Sequence, residues 1–231
     1  MVFPVAGGTQ STGYEVDNSL RLNRDDSPYL SKTYSSNATD RQKNTFSVWV
    51  KRSEISTGSG TGDQVLFSNA DNDQIAFEGD TDQLIFKSAG TLKIRTNNRF
   101  RDPSAWYHIL FAMDTTQGTG SNRIKFYVNG DQVTSFETYT AVNQNTNHSF
   151  FINQAHSIGR SQSDTNRHFS GYIAEVHGID GQQLDPTYFG ETSEHGMWIP
   201  KKYAGTFGGN GFKFIFADSS APGTDSSGAG G

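Results

Sequence analysis

An all-β fold, an antiparallel β-sandwich, is what this sequence predicts. Hydrophobic residues alternate at period two, tight-turn dipeptides close the alternating runs, and the aromatic residues (17 Phe, 9 Tyr and 3 Trp) concentrate in those runs. In Ile124 to Val128, the residues Ile124, Phe126 and Val128 fall on one face and Lys125 and Tyr127 on the other, as a strand with one buried side requires. Asn129-Gly130 follows and supplies two positions tolerant of positive φ, the need of a type I′ turn, so the chain reverses with Gln132 and Val133 on the return strand.

The same reading places strands at Leu20 to Leu22, Phe46 to Val50, Gln64 to Phe67, Gln74 to Phe77, Leu84 to Phe86, Leu92 to Ile94, Tyr107 to Met113, Ile124 to Val128, Phe150 to Ile152 and Gly171 to Val176. Ala89-Gly90 turns the Leu84 and Leu92 strands into a second hairpin. The spacing fits antiparallel sheets and not βαβ units. One helical signal stands out: Asp185 is a good N-cap, and Pro186 sits at the first helical position, where its missing N–H costs nothing.

A chain of 231 residues suits one large all-β domain. Residues 1–13 form an extended lead-in, 14–193 the sandwich, 194–218 a C-terminal segment with one strand packing on the sandwich or on a neighbour, and 219–231 a Gly/Ser-rich linker or tail. The loops Ser53 to Asp63 and Thr115 to Asn122 are rich in glycine and small polar residues and belong on the rim, where binding evolves, although flexibility alone is the commoner meaning of such loops.

Net charge is -5, and no basic block exceeds the doublets Lys51-Arg52 and Lys201-Lys202, so no DNA or RNA partner is expected. With 0 Cys, disulfides, thiolate metal sites and cysteine nucleophiles are excluded. No segment approaches the roughly 18 apolar residues of a membrane span, so no membrane partner is expected. The start MVFPVAGGTQSTG has no basic n-region or apolar h-region, so classical export is not expected. If the molecule works outside cells without a signal peptide, release by lysis inside a virus particle is a natural route.

Trp106, His108 and Asp114, followed after a loop by Tyr127-Val128-Asn129-Gly130, and then Phe169-Ser-Gly-Tyr-Ile-Ala-Glu-Val176, carry a resemblance. In order and separation these motifs resemble the laminin G-like and concanavalin A-like jelly rolls, in which they mark the fold and carry no chemistry. The resemblance implies a jelly roll with a C-terminal extension. Laminin G modules of animals often carry a disulfide, so its absence favours a prokaryotic or viral setting. A more specific likeness lies in Leu184-Asp-Pro-Thr-Tyr-Phe-Gly-Glu191, Trp198-Ile-Pro-Lys-Lys-Tyr203, Gly205-Thr-Phe-Gly-Gly-Asn-Gly-Phe212, the Phe212, Phe214, Phe216, Asp218 alternation, and the lead-in GGTQSTGYEVDNSLRLN. These resemble virion proteins of tailed phages, in tail fibres or other appendages. That resemblance implies a virion location, other virion proteins as partners, a homo-oligomer with a trimer as the family expectation, and host surface polysaccharide as ligand. In such proteins the chain usually continues beyond a tail like 219–231, so this is expected to be a shorter member or a cut product.

Catalysis is not expected. Retaining glycosidases of this superfamily place two carboxylates on one strand as Glu-x-Asp-x-Glu; Glu15-Val-Asp17-Asn-Ser19 begins that pattern but ends in serine. Glu175 is a lone acid, structural or solvent-facing, and there is no Gly-x-Ser-x-Gly elbow or His-Glu-x-x-His helix. No cofactor is expected. Calcium is the one alternative, through Asp71, Asp73, Asp80 and Asp82 flanking a strand, but tight turns explain the same residues about three times as readily. His108, His148, His156, His168, His177 and His195 show no metal-ligand spacing, and His108 belongs to the sheet. Asn37-Ala-Thr39 and Asn147-His-Ser149 match the glycosylation sequon and carry little weight. Weak glycan sites have no fixed motif, so the sequence assigns no binding residues. Three functions remain: an adhesive virion protein, an architectural virion or capsid-decoration subunit, and a bacterial extracellular glycan-binding module. Trp198 bears on the first two, because a rim aromatic stacks on sugars whereas a packed one does not; packing in the core or an interface is the favoured fate.

Overall fold

The computed structural model describes residues 13–56 and 62–228. The lead-in 1–12 and the middle of the Ser53 to Asp63 loop, 57–61, lie outside them. The strands are β1 (Leu20–Leu22), β2 (Leu30–Thr33), β3 (Lys43–Arg52), β4 (Gln64–Asn69), β5 (Gln74–Phe77), β6 (Gln83–Ser88), β7 (Thr91–Arg99) and β8 (Tyr107–Asp114). They continue as β9 (Ile124–Val128), β10 (Asp131–Gln132), β11 (Phe136–Tyr139), β12 (Ala155–Ile158), β13 (Gly171–Asp180), β14 (Gly190–Thr192), β15 (Trp198–Pro200) and β16 (Phe212–Phe214). One sheet runs β1-β13-β3-β8-β9-β10, with β16 also on β13, and the other runs β11-β7-β6-β5-β4-β12-β2. All the pairings are antiparallel, and the two sheets face each other as a sandwich. Among the described residues no helix is long and apolar enough to cross a membrane.

Alternation decides which side chains meet between the sheets. Phe46, Val48 and Val50 of β3, Ile109, Phe111 and Met113 of β8, and Ile124 and Phe126 of β9 pack against Phe67, Ile75, Phe77, Leu84 and Phe86 of the facing sheet. Phe46 and Phe67 stack at 4.8 Å, and Phe86 meets Phe111 at 4.9 Å, distances at which aromatic pairs gain beyond simple burial. Both hairpin turns form as the sequence requires: Asn129 and Gly130 have φ of 50 and 87, Ala89 and Gly90 of 47 and 76. Asp185 caps a single 3₁₀ turn, Pro186–Tyr188, its carboxylate accepting from Thr187 N–H.

One predicted strand is not there. Phe150 to Ile152 is a turn, with Phe151 at φ 62. A strand would send Phe150 and Phe151 to opposite faces, whereas the left-handed residue turns both rings inward, where they are fully buried. β12 was hidden for the opposite reason: its inward residues are His156 and Ile158, so the alternation contains a polar side chain. The Thr115 to Asn122 loop is on the rim, but Arg123 braces it, donating to the carbonyls of Gln117, Gly118 and Val142.

The outer face of the β13-β3-β8 sheet is also apolar. Leu110, Ala112 and Ile179 point outward and are covered by Leu184 and Phe189 from the chain after β13 and by Tyr203 of the C-terminal segment, with Tyr127 and Phe207 at the margin. The chain then returns to place β16 on β13, and Gly178 lets it in, since a side chain there would collide with the Phe212 ring. Residues 219–228 turn back along β16, Ser226 N–H donating to Lys213 C=O.

At one end of the sandwich the fully buried Arg52 guanidinium donates to Asp82, 2.8 Å away, and to Phe100 C=O, with the Phe77 ring 4.6 Å below it. Removing Arg52 takes one of two arginines from the buried Asp82 and leaves a hole where its guanidinium packs on Phe77, so Arg52→Ala is expected to cost about 2–4 kcal/mol. Urea denaturation measures this, and a loss near zero would contradict the bridge.

Candidate functional site

Three constellations carry polar or aromatic groups in a form that chemistry could use. The first is on the outer face. Ser47 and Trp49 of β3 and His108 of β8 point the same way, so Ser47 Oγ lies 2.8 Å from His108 Nε2 and the Trp49 ring stacks on the imidazole at 5.1 Å. β15 brings Trp198 to the Nδ1 edge of that imidazole, its indole N–H 3.0 Å from His108 Nδ1 and its ring 6.0 Å away, near-parallel to the imidazole. An indole N–H only donates, so Nδ1 accepts and the neutral ring carries its proton on Nε2, donating to Ser47. A serine nucleophile needs the reverse, a histidine nitrogen free to take its proton. The serine–histidine pair is therefore turned the wrong way for catalysis. Burial also pushes the His108 pKa down to about 3, which removes its capacity as a base near neutrality.

Trp198 packs on the chain's own sheet but stays half-buried, short of the core position expected for it. It lies against Gly130 and Gly190, where an added Cβ would stand 2.6 and 2.5 Å from the indole. Trp49 and Trp106, with Pro200, line a hollow of about 20 Å³, room for one water and no more.

The second constellation is the set of carboxylates, and the structure does not gather the four aspartates that the sequence placed in reach of calcium. Asp82 accepts from Arg52, Arg101 and Ser56 N–H, donors that hold its pKa below the usual carboxylate range against the opposing effect of burial. Asp73 accepts from Ala89 N–H and Asn69, while Asp71 and Asp80 are exposed. Among the described residues no three His, Asp or Glu side chains are grouped to hold an ion. Glu15 and Asp17 lie in irregular chain before β1, without the alternation that would aim both into one cleft. Glu175 is not solvent-facing: it is 4% exposed, in a bulge of β13 with φ 45, and accepts from Tyr14 Oη at 2.9 Å with Lys213 Nζ 3.4 Å away. It fastens the chain before β1 to the sandwich.

The third is a cleft that sequence reasoning missed, at the open side of the sandwich between the β2/β12 edge of one sheet and β16 of the other. Its volume is about 180 Å³. Leu30, Tyr34, Phe67, His156, Ile158, Phe212 and Phe214 give it an aromatic and aliphatic lining; Lys32 and Asp225 stand at the rim. Tyr34 meets His156 edge-on at 5.0 Å, and Phe212 stacks with the half-buried Phe214 at 5.0 Å. Phe151 N–H donates to His156 Nε2, so Nδ1 carries the proton and donates to Gln154 C=O; burial lowers the ring's pKa and keeps it neutral. Only the Phe212, Phe214 alternation was visible in the sequence, because the other walls come from positions far apart along the chain.

Residues 24–181 match the family described as the concanavalin A-like lectin/glucanases superfamily. A search of curated protein sequences gives no match. Among solved structures, a protein of Bacteroides ovatus described as carbohydrate-binding is similar over 80% of this chain and 52% of its own, at 14% identity and a TM-score of 0.51. The heptameric SAP-like pentraxin of Limulus polyphemus matches over 77% of this chain and 74% of its own, at 15% identity and a TM-score of 0.46. Domain 4 of an extracellular arabinanase of Geobacillus stearothermophilus, solved with arabinotriose, matches over 74% and 84%, at 18% identity and a TM-score of 0.43. At such identities the likeness concerns the fold.

The inverted pair makes a pH prediction. Between about pH 6.5 and pH 3 the unfolded chain protonates His108 while the native ring stays neutral, so stability falls with falling pH by about 1.4 kcal/mol per unit. His108→Gln should make the slope of unfolding free energy between roughly pH 6 and 4 shallower by about that amount in urea titrations. An unchanged slope would mean that His108 is charged in the native state.

Proposed function

The chain belongs to the concanavalin A-like lectin/glucanases superfamily, and we propose that it is a non-catalytic glycan-binding protein of a phage virion, part of a tail fibre or another surface appendage. The observation that carries the binding half is the cleft beside β16: an aromatic-lined hollow with polar groups at its rim is the usual chemistry of a site that takes a sugar ring. Non-catalytic action is supported by the Ser47–His108 pair, whose proton sits on the wrong nitrogen, and by the engagement of Asp82, Asp73 and Glu175 with internal donors. The carbohydrate-binding description of the Bacteroides protein points the same way.

The virion half rests on the likeness of the lead-in and of the Leu184 to Asp218 segments to tailed-phage appendage proteins. Other virion proteins and copies of this chain, as a trimer, are the partners of that reading, and bacterial surface polysaccharide is the ligand. The packing of Leu184, Phe189, Trp198 and Tyr203 on the chain's own sheet leaves the purely architectural alternative without those residues as a docking element.

The expected result is saturable binding of the purified chain to some members of a panel of bacterial surface polysaccharides, unchanged by a calcium chelator because Asp73 and Asp82 are already engaged. No binding to any member would remove the adhesive reading, and loss with chelator would restore calcium.

A further inference from the structure

Resting on the glycan-binding reading, we infer that the β16 cleft takes one terminal, uncharged, hydroxyl-rich ring, and that the segment 217–228 is a wall of the site that supplies a ligand-binding carboxylate, Asp225. Size gives the first part. About 180 Å³ is far more than the roughly 10–15 Å³ that one water needs and below the roughly 300 Å³ at which drug-sized pockets begin, so the cleft has room for one ring inside it.

Polar satisfaction gives the second part. Tyr34 is 4% exposed as a residue and its hydroxyl makes no hydrogen bond among the described residues; the oxygen itself is not sealed in the core but opens where Tyr34 lines the cleft, so it is a donor a ligand can reach. Burial, reinforced by the charge of Asp225, raises its pKa and keeps the O–H as a donor. Asp225 Oδ1 accepts from Lys213 N–H at 2.9 Å and Ser227 N–H at 2.8 Å, while Oδ2 accepts from none of the described residues. A donor and an acceptor beside an aromatic wall match a sugar ring: its hydroxyls accept from Tyr34 and donate to Asp225, and its C–H face lies on Phe214. A purely apolar ligand leaves both polar groups unmatched. Lys32, 5.6 Å over the Tyr34 ring, and Asp225 put opposite charges on the rim, so the cleft has no net charge of its own to favour an ion of either sign.

The wall is lightly held. From Ala217 to Gly228 nearly every residue is exposed, and the bond from Ser226 N–H to Lys213 C=O and the Asp225 acceptor tie the segment to β16.

The test uses the full chain and the methyl glycosides of glucose, galactose, mannose and N-acetylglucosamine, with binding followed by NMR titration. At least one glycoside is expected to bind. Tyr34→Phe should weaken it by about tenfold or more with no loss of thermal stability, because the hydroxyl has no partner to lose among the described residues. Asp225→Asn, which keeps the Oδ1 acceptor, should weaken it similarly. Should polysaccharides bind while no methyl glycoside does, or should both variants bind as the parent does, the terminal-ring site is wrong and the glycan reading stands. If neither polysaccharide nor glycoside binds, both fall.

Discussion

Strand β8 is apolar on both faces, and much of the molecule answers to that constraint. Ile109, Phe111 and Met113 fill the space between the sheets, while Leu110 and Ala112 point the other way beside Ile179. A two-layer sandwich would leave that second face in water. The chain therefore needs a third layer, and Leu184, Phe189 and Tyr203 supply it. The Asp185 cap and the β14-β15 hairpin turn the chain across the face and not away from it.

Two local arrangements follow from that route. Trp198 arrives at the Nδ1 edge of His108 and fixes its tautomer, which turns a serine–histidine contact into a structural hydrogen bond. The chain then comes back to β13, whose second edge is already occupied by β1 up to Ile173, and takes the length from Val176 to Gly178. The bulge at Glu175 lies between the two, where its carboxylate meets Tyr14 and Lys213, one from each incoming segment. Because β16 ends up there, its Phe212 and Phe214 face the β2/β12 edge across a gap that becomes the cleft.

The electrostatics describe a scaffold more than a reaction centre. Asp82 is neutralised by two arginines, Asp73 is held by an amide and a backbone N–H, and the buried imidazoles of His108 and His177 are kept neutral, each with a pKa pushed down to about 3. Groups committed in this way orient backbone and rings but have little left to offer a substrate. The Tyr34 hydroxyl and one oxygen of Asp225 carry no such commitment among the described residues, and both residues line the cleft.

Period-two alternation in β3, β8 and β9, the Asn129-Gly130 and Ala89-Gly90 turns and the Asp185-Pro186 cap were legible in the sequence, because each depends on residues adjacent along the chain. Phe150-Phe151 misled that reading: its hydrophobicity is local, but the left-handed turn that buries both rings is set by the core they enter. Asp73 and Asp82 looked like shared ligands because spacing shows proximity along a strand, not that Arg52, 30 residues away, has already claimed one of them. The cleft was invisible for the same reason. Tyr34, Phe67, His156, Phe214 and Asp225 have no common period or motif, and only the packing of two sheet edges against a returning strand brings them together. The sequence by itself determined the sheets, their turns and the absence of cysteine chemistry; the tertiary structure alone decided which charges are spent, which proton His108 keeps and where a ligand fits, since those depend on contacts between residues far apart in the chain.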